Sequence, residues 1–102
     1  MSLVPVFAAL GDETRWGILT ALGDEDLSAS ALAQRLPVSR QAIAKHLASL
    51  VEVGLVEPVS AGREIRYRAL GARLDELAAQ LRQIGAAWDA RLDALTRLAE
   101  GR

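Results

Sequence analysis

Residues 28–54 read SASALAQRLPVSRQAIAKHLASLVEVG, and the punctuation of this stretch decides the fold. Ser28 or Ser30 offers a hydroxyl that accepts from the free N–H groups of a helical first turn, so either predicts an N-cap. Leu32, Ala33 and Leu36 then recur at helical spacing, and Pro37 stops the run because it has no N–H for the ladder. Ser39 repeats the capping signal. Behind it Ala42 or Ile43, Leu47, Leu50 and Val51 form the apolar face of a second helix, closed by Gly54 where a left-handed residue costs little. Only Leu36-Pro37-Val38 separates the two helices, and a turn this short sets them at a steep angle.

Upstream, Leu3 to Leu10 predicts a short helix ended by Gly11. Asp12 then caps a helix running to about Leu22, with Ile18, Leu19 and Leu22 as its buried stripe. Downstream the period changes. Leu55 to Val59 is β-prone, residues 60–63 predict a turn, and residues 64–69 alternate strictly. Glu64, Arg66 and Arg68 share one face; Ile65, Tyr67 and Ala69 share the other. Pro58 fits an edge strand, since it cannot donate to a second neighbour.

From about Ala72 to Ala99 the chain predicts one helix on the order of 40 Å long. Leu74, Leu81, Trp88 and Leu95 recur every seventh residue. Leu77, Ile84 and Leu98 fill the second seam position, while Arg91 breaks it and Leu92 sits beside the break. A small core cannot cover so long a stripe, so the expectation is a two-chain helical seam rather than intrachain packing alone. Its centre is expected at Leu77, Leu81, Ile84, Trp88 and Leu92, with Val6 and Leu10 of the first helix beside it.

The 102 residues suffice for one domain, and 51 % hydrophobic with 25 % charged residues exclude a disordered chain. No apolar run is long enough for a membrane span, and no signal-like segment opens the sequence. The absence of cysteine removes disulfides, thiolate metal sites and a thiol nucleophile. A cytoplasmic, membrane-free protein is expected. The net charge of −1 argues by itself against a nucleic-acid partner, but its distribution argues for one. Residues 1–27 set Arg15 against five carboxylates, whereas residues 28–68 carry Arg35, Arg40, Lys45, Arg63, Arg66 and Arg68 against three. A basic middle can localise a phosphate-binding face.

Two steeply angled helices followed by a hairpin form a helix-turn-helix with a wing. The second helix can then enter a DNA major groove while the first braces on the backbone. Ser39, Arg40, Gln41, Ala44, Lys45 and His46 cluster on its early turns, away from Ile43, Leu47 and Leu50. Arg40 can reach guanine and Gln41 adenine with two hydrogen bonds each, while Lys45 and His46 suit phosphate. At the hairpin tip, Gly62 permits the tight turn, and Arg63 and Arg66 are expected to reach a minor groove or a flanking phosphate. The fold class is mainly α with a β-hairpin: a single winged helix-turn-helix domain over 1–102. A DNA-binding core spans 12–70, and dimerisation helices span 1–11 and 71–102.

Other classes fare worse. A hydrolase would need His46, the lone histidine, as base with Ser39 or Ser49 as nucleophile, and no glycine-rich oxyanion loop accompanies them. No phosphate-binding G-x-x-x-x-G-K loop is present. Asp89 and Asp93 share a helix face, but carboxylates alone hold metals weakly, and partnering Arg82, Arg91 and Arg97 explains them. No enzyme, cofactor or metal site is expected. A winged helix kept as a protein-interaction module remains the alternative, although it would not need Arg40, Gln41, Lys45 and Arg63 together.

The segments FAALGDETRWGIL, SALAQRLPVSRQAIAKHLASLVEVGLV and GREIRYRAL resemble, in order and spacing, the arsenic-repressor (ArsR/SmtB) family of winged-helix transcription factors. The likeness covers nearly the whole chain and is greatest to the branch that lacks metal sites. It implies a homodimer joined through the first and last helices, binding an inverted-repeat operator in double-stranded DNA. It also implies repression of a promoter, often the regulator's own. On that resemblance Ser39, Arg40, Gln41, Lys45 and His46 fall on the recognition helix, and Arg63 and Arg66 on the wing. Arg15 matches a structural arginine of the family's D-P-T-R motif, in which Glu13 here replaces proline. Trp16 stands where a basic residue is common and is expected to be partly exposed, near a dimer surface or pocket. The effector is left open between a small apolar molecule, a partner protein and protein concentration alone.

Overall fold

The computed structural model describes residues 4–101. Helices α1 (Val4–Ala9) and α2 (Glu13–Ala21) lead into a two-residue strand β1 (Leu27–Ser28). Helices α3 (Ala29–Arg35) and α4 (Arg40–Glu52) follow, then strands β2 (Val56–Ala61) and β3 (Glu64–Ala69), and finally α5 (Gly71–Ala99). The predicted start of the first helix at Leu3 lies outside the described residues.

The caps determine where the helices begin. Asp12 Oδ2 accepts from the Arg15 N–H at 3.0 Å, Ser28 Oγ from Ala31 at 3.1 Å, and Ser39 Oγ from Ala42 at 3.1 Å. Each satisfies one of the donors that a helical first turn leaves free. Ser28 rather than Ser30 caps α3, because its extended backbone doubles as strand β1. Gly54 closes α4 at φ 79°, a left-handed conformation that a Cβ would strain.

The three-stranded antiparallel sheet has the order β1-β3-β2. Leu27 pairs with Tyr67 and Ser28 with Arg66, while β2 and β3 pair from Val56↔Ala69 to Ala61↔Glu64. Strand β2 is an edge, which is where Pro58 belongs. The hairpin turn is tighter than the expected residues 60–63: Ser60 and Ala61 continue the strand, and only Gly62 and Arg63 turn. Gly62 at φ 66° takes the first turn position, which needs a positive φ.

Ile18, Leu32, Ile43, Leu47, Leu50, Leu55 and Val56 are fully buried, so α2, α3, α4 and the root of β2 share one core. Val51, expected on the apolar face of α4, is exposed instead, because it lies a third of a turn from Leu50 on the wing side. Val6 of α1 and Leu77 of α5 belong to this same core. That corrects their expected place in a two-chain seam: side chains 3 % exposed within one chain have little surface left for a second. Beyond Ala79 every described residue of α5 is exposed, including Leu81, Ile84, Trp88 and Leu92. The helix projects from the core and stretches the molecule to 68 × 26 × 23 Å.

Candidate nucleic-acid interface

Helix α4 divides by face. Ile43, Leu47 and Leu50 point into the core, while Arg40, Gln41, Ala44, Lys45 and Ala48 stay exposed. Ser39 is exposed at the entrance, its oxygen committed to the cap. His46 stands apart from this strip. It is half-buried on the side facing α2, with Nδ1 3.8 Å from Asp12 Oδ2. The same carboxylate caps α2. Its pKa is held below the ordinary aspartate value, chiefly by the Arg15 backbone N–H and also by the nearby imidazole, against an opposing desolvation.

The pairing of the cations is uneven along the chain. Arg15 Nε donates to the Ala9 carbonyl at 2.5 Å, closing α1 onto α2, as a structural arginine should. Arg35 pairs with Glu25, and Arg66 with Glu64 at 2.9 Å. Arg68 grips Asp26 and lies 3.9 Å from Glu57. In residues 4–70, Arg40, Lys45 and Arg63 are left with side chains in no ion pair or hydrogen bond. These three lie on the exposed strip of α4 and at the wing turn.

The two faces of β3 take different surroundings. Ile65 and Tyr67 turn toward α4 and line the clefts between it and the wing. Arg66 lies on the opposite face, beside Glu25, Asp26 and Glu64. Of the two expected wing arginines, only Arg63 therefore shares a surface with Arg40. Sequence reasoning missed Tyr67, which lines all three clefts between α4 and the wing. Its signal was present in the alternation that set it opposite the basic face.

A second surface is built by α1, α2 and the root of α5. Trp16, 61 % exposed, lines an apolar groove of about 500 Å³ with Phe7, Leu10, Leu19, Leu74 and Leu81. The groove runs into the exposed stripe of α5. Among the described residues no three His, Cys, Asp or Glu side chains are grouped so as to hold a metal ion.

The profile of a helix-turn-helix domain matches residues 10–59. Among solved structures, an ArsR-like transcriptional regulator from Rhodococcus sp. RHA1 is 65 % identical, with a TM-score of 0.87 over 98 % of this chain and 92 % of that one. HlyU from Vibrio cholerae N16961 is 30 % identical, with a TM-score of 0.66 over 79 % of this chain and 88 % of its own. The homodimeric winged helix-turn-helix DNA-binding domain Mb0332 from Mycobacterium bovis is 25 % identical, with a TM-score of 0.68 over 82 % of this chain and 78 % of its own. No curated protein matches the chain. With this fold, and with near-complete coverage at 65 % identity, the chain belongs to the ArsR-like winged helix-turn-helix transcriptional regulators and is not an enzyme.

Proposed function

We propose that the protein is a sequence-specific repressor that binds an inverted-repeat operator in double-stranded DNA as a homodimer, without metal sensing. The observation that carries the reading is the selective freedom of Arg40, Lys45 and Arg63, when every other cation of residues 4–70 has a partner. Exposed cations left unpaired on two adjoining elements suit a polyanion. Gln41 and Ala44, between them on α4, suit the base edges of a major groove. Ser39 contributes its hydroxyl at the helix entrance, Arg66 and His46 serve at the margins, and residues 12–70 form the DNA-binding unit.

Dimerisation is assigned to residues 1–11 and 71–102. The contact surface comprises Leu10, Leu81, Ile84, Trp88 and Leu92, which one chain leaves partly or largely exposed. The homodimeric relative from Mycobacterium bovis supports this assembly. Two recognition helices related by a two-fold reach major grooves about 34 Å apart.

Footprinting on the DNA upstream of the protein's own coding sequence tests the reading. A symmetric protected site, with affinity falling steeply as salt rises, is expected, because bound cations release counterions from phosphates. A single protected half-site bound by a monomer would refute the dimeric reading. Absence of sequence preference would favour the protein-interaction module.

A further inference from the structure

Two of the three free cations of residues 4–70 line one cleft. It measures about 510 Å³ and lies between the start of α3, the first residue of α4 and the wing turn, with Arg40 and Arg63 both in its wall. Glu64 is the one carboxylate among its lining residues, and Arg66 Nε already holds it at 2.9 Å. A second cleft, of about 550 Å³, shares Ala29, Arg40 and Tyr67 with the first and continues to Ser39, Gln41 and Ala44. The two clefts adjoin at these shared residues, and Arg40 lines both.

Charge decides what fits. One guanine edge takes the fork of a single arginine, whereas here two guanidiniums without partners line the same cleft. A phosphodiester oxygen pair matches both their charge and their forked donors. We propose that this cleft is a subsite for a single DNA backbone phosphate, held jointly by Arg40 and Arg63 where the strand passes from the recognition helix to the wing. Arg40 then fixes the register of the complex, and the reading of bases falls to Gln41. The inference rests on the DNA-binding reading above and moves to the backbone an arginine, Arg40, that sequence alone had given to guanine.

The test uses the full chain and its Arg40→Ala, Arg63→Ala and doubly substituted variants. Binding is followed by fluorescence anisotropy on the upstream duplex and on a mixed-sequence duplex, then on upstream duplexes carrying single neutral methylphosphonates. Each single variant is expected to bind about tenfold more weakly, the worth of one charge-assisted hydrogen-bonding group. The loss should be equal on both duplexes. One methylphosphonate position per half-site should weaken the wild type, and there neither substitution should cost anything further. If the two arginines lose their effect at different positions, the shared subsite is overturned. It is equally overturned if Arg40→Ala erodes the preference for the upstream duplex while Arg63→Ala does not. A wild type that binds neither duplex overturns the DNA reading and the subsite together. Both side chains are exposed, so unchanged thermal melts should accompany the losses. Arg40→Lys, which keeps the charge but not the fork, should fall between wild type and Arg40→Ala.

Discussion

The Arg68 guanidinium donates from Nε and Nη2 to the two carboxylate oxygens of Asp26, at 3.2 and 2.7 Å, across 42 residues of chain. The contact ties the wing to the turn that feeds α3, so the angle between wing and helix-turn-helix does not rest on the short strand β1 alone. This hydrogen bond, more than any other influence, holds the Asp26 carboxyl below its ordinary pKa, with desolvation opposing. A lowered acid pKa stabilises the fold above the ordinary value, and that contribution is lost as pH falls through the lowered one. Asp26→Asn should therefore melt below the wild type near neutral pH, and the gap should close below about pH 4. Melting temperatures of both proteins across that range check it; a gap independent of pH would assign the effect to packing.

Gln41 is exposed on α4 and lines the second of the two clefts with Arg40. Its replacement by alanine should relax choice at one base pair of each half-site, costing about 1–3 kcal/mol of discrimination. Binding to a mixed-sequence duplex should barely change. Competition titrations against base-substituted operators measure the ratio.

Zinc, cadmium and arsenite should leave DNA binding unaltered at stoichiometric levels. The chain has no cysteine and one histidine, and that histidine lies against the Asp12 cap. Soft and borderline ions need several such ligands converging. Titrating each ion into a DNA-binding assay decides the matter, and a tenfold loss at one equivalent would refute the prediction.

Trp88 is 54 % exposed, with the Arg91 guanidinium 5.4 Å from its ring centroid. Trp88→Ala thus removes little burial within one chain, and the core around Leu32 and Leu47 should not register the change. As an anchor of the proposed seam it should weaken dimerisation by about 2 kcal/mol or more, roughly thirtyfold. DNA affinity should drop with it, because coupling of two half-sites is lost. Light scattering over a dilution series tests this; a variant as dimeric as the wild type would move the seam to Leu10 and Trp16.

The local features were legible in the sequence. Asp12 and Ser39 mark helix starts through their side-chain oxygens, Pro37 and Gly54 mark helix ends through their backbone, and heptad spacing marked α5. Contacts between segments distant in the chain were not. Strand β1 is two residues long and exists only because β3 passes beside it, so no local pattern announces it. Arg66 and Arg68 looked equivalent to Arg63 by charge, yet each has an acidic partner that Arg63 lacks. His46 shared the early turns of α4 with Lys45, but one further step around the helix turned it toward α2. Val6 and Leu77 carried the same apolar signal whether for core or seam, and only the packing of one chain separates those uses.

Helix α5 runs without a break from Gly71 to Ala99, and Leu77 fixes its root in the core. Each residue advances such a helix by about 1.5 Å and turns it by roughly 100°. Length and azimuth are therefore coupled, as in a screw thread. Deleting one residue between Leu81 and Ile84 would swing Trp88 and everything beyond it out of line with the root. Deleting a seven-residue stretch from the projecting part of the helix would restore nearly the same azimuth while drawing the tip in by about 10 Å. The protein can thus vary its reach only in whole threads, and length changes of any other size should separate the two halves of the molecule's apolar edge.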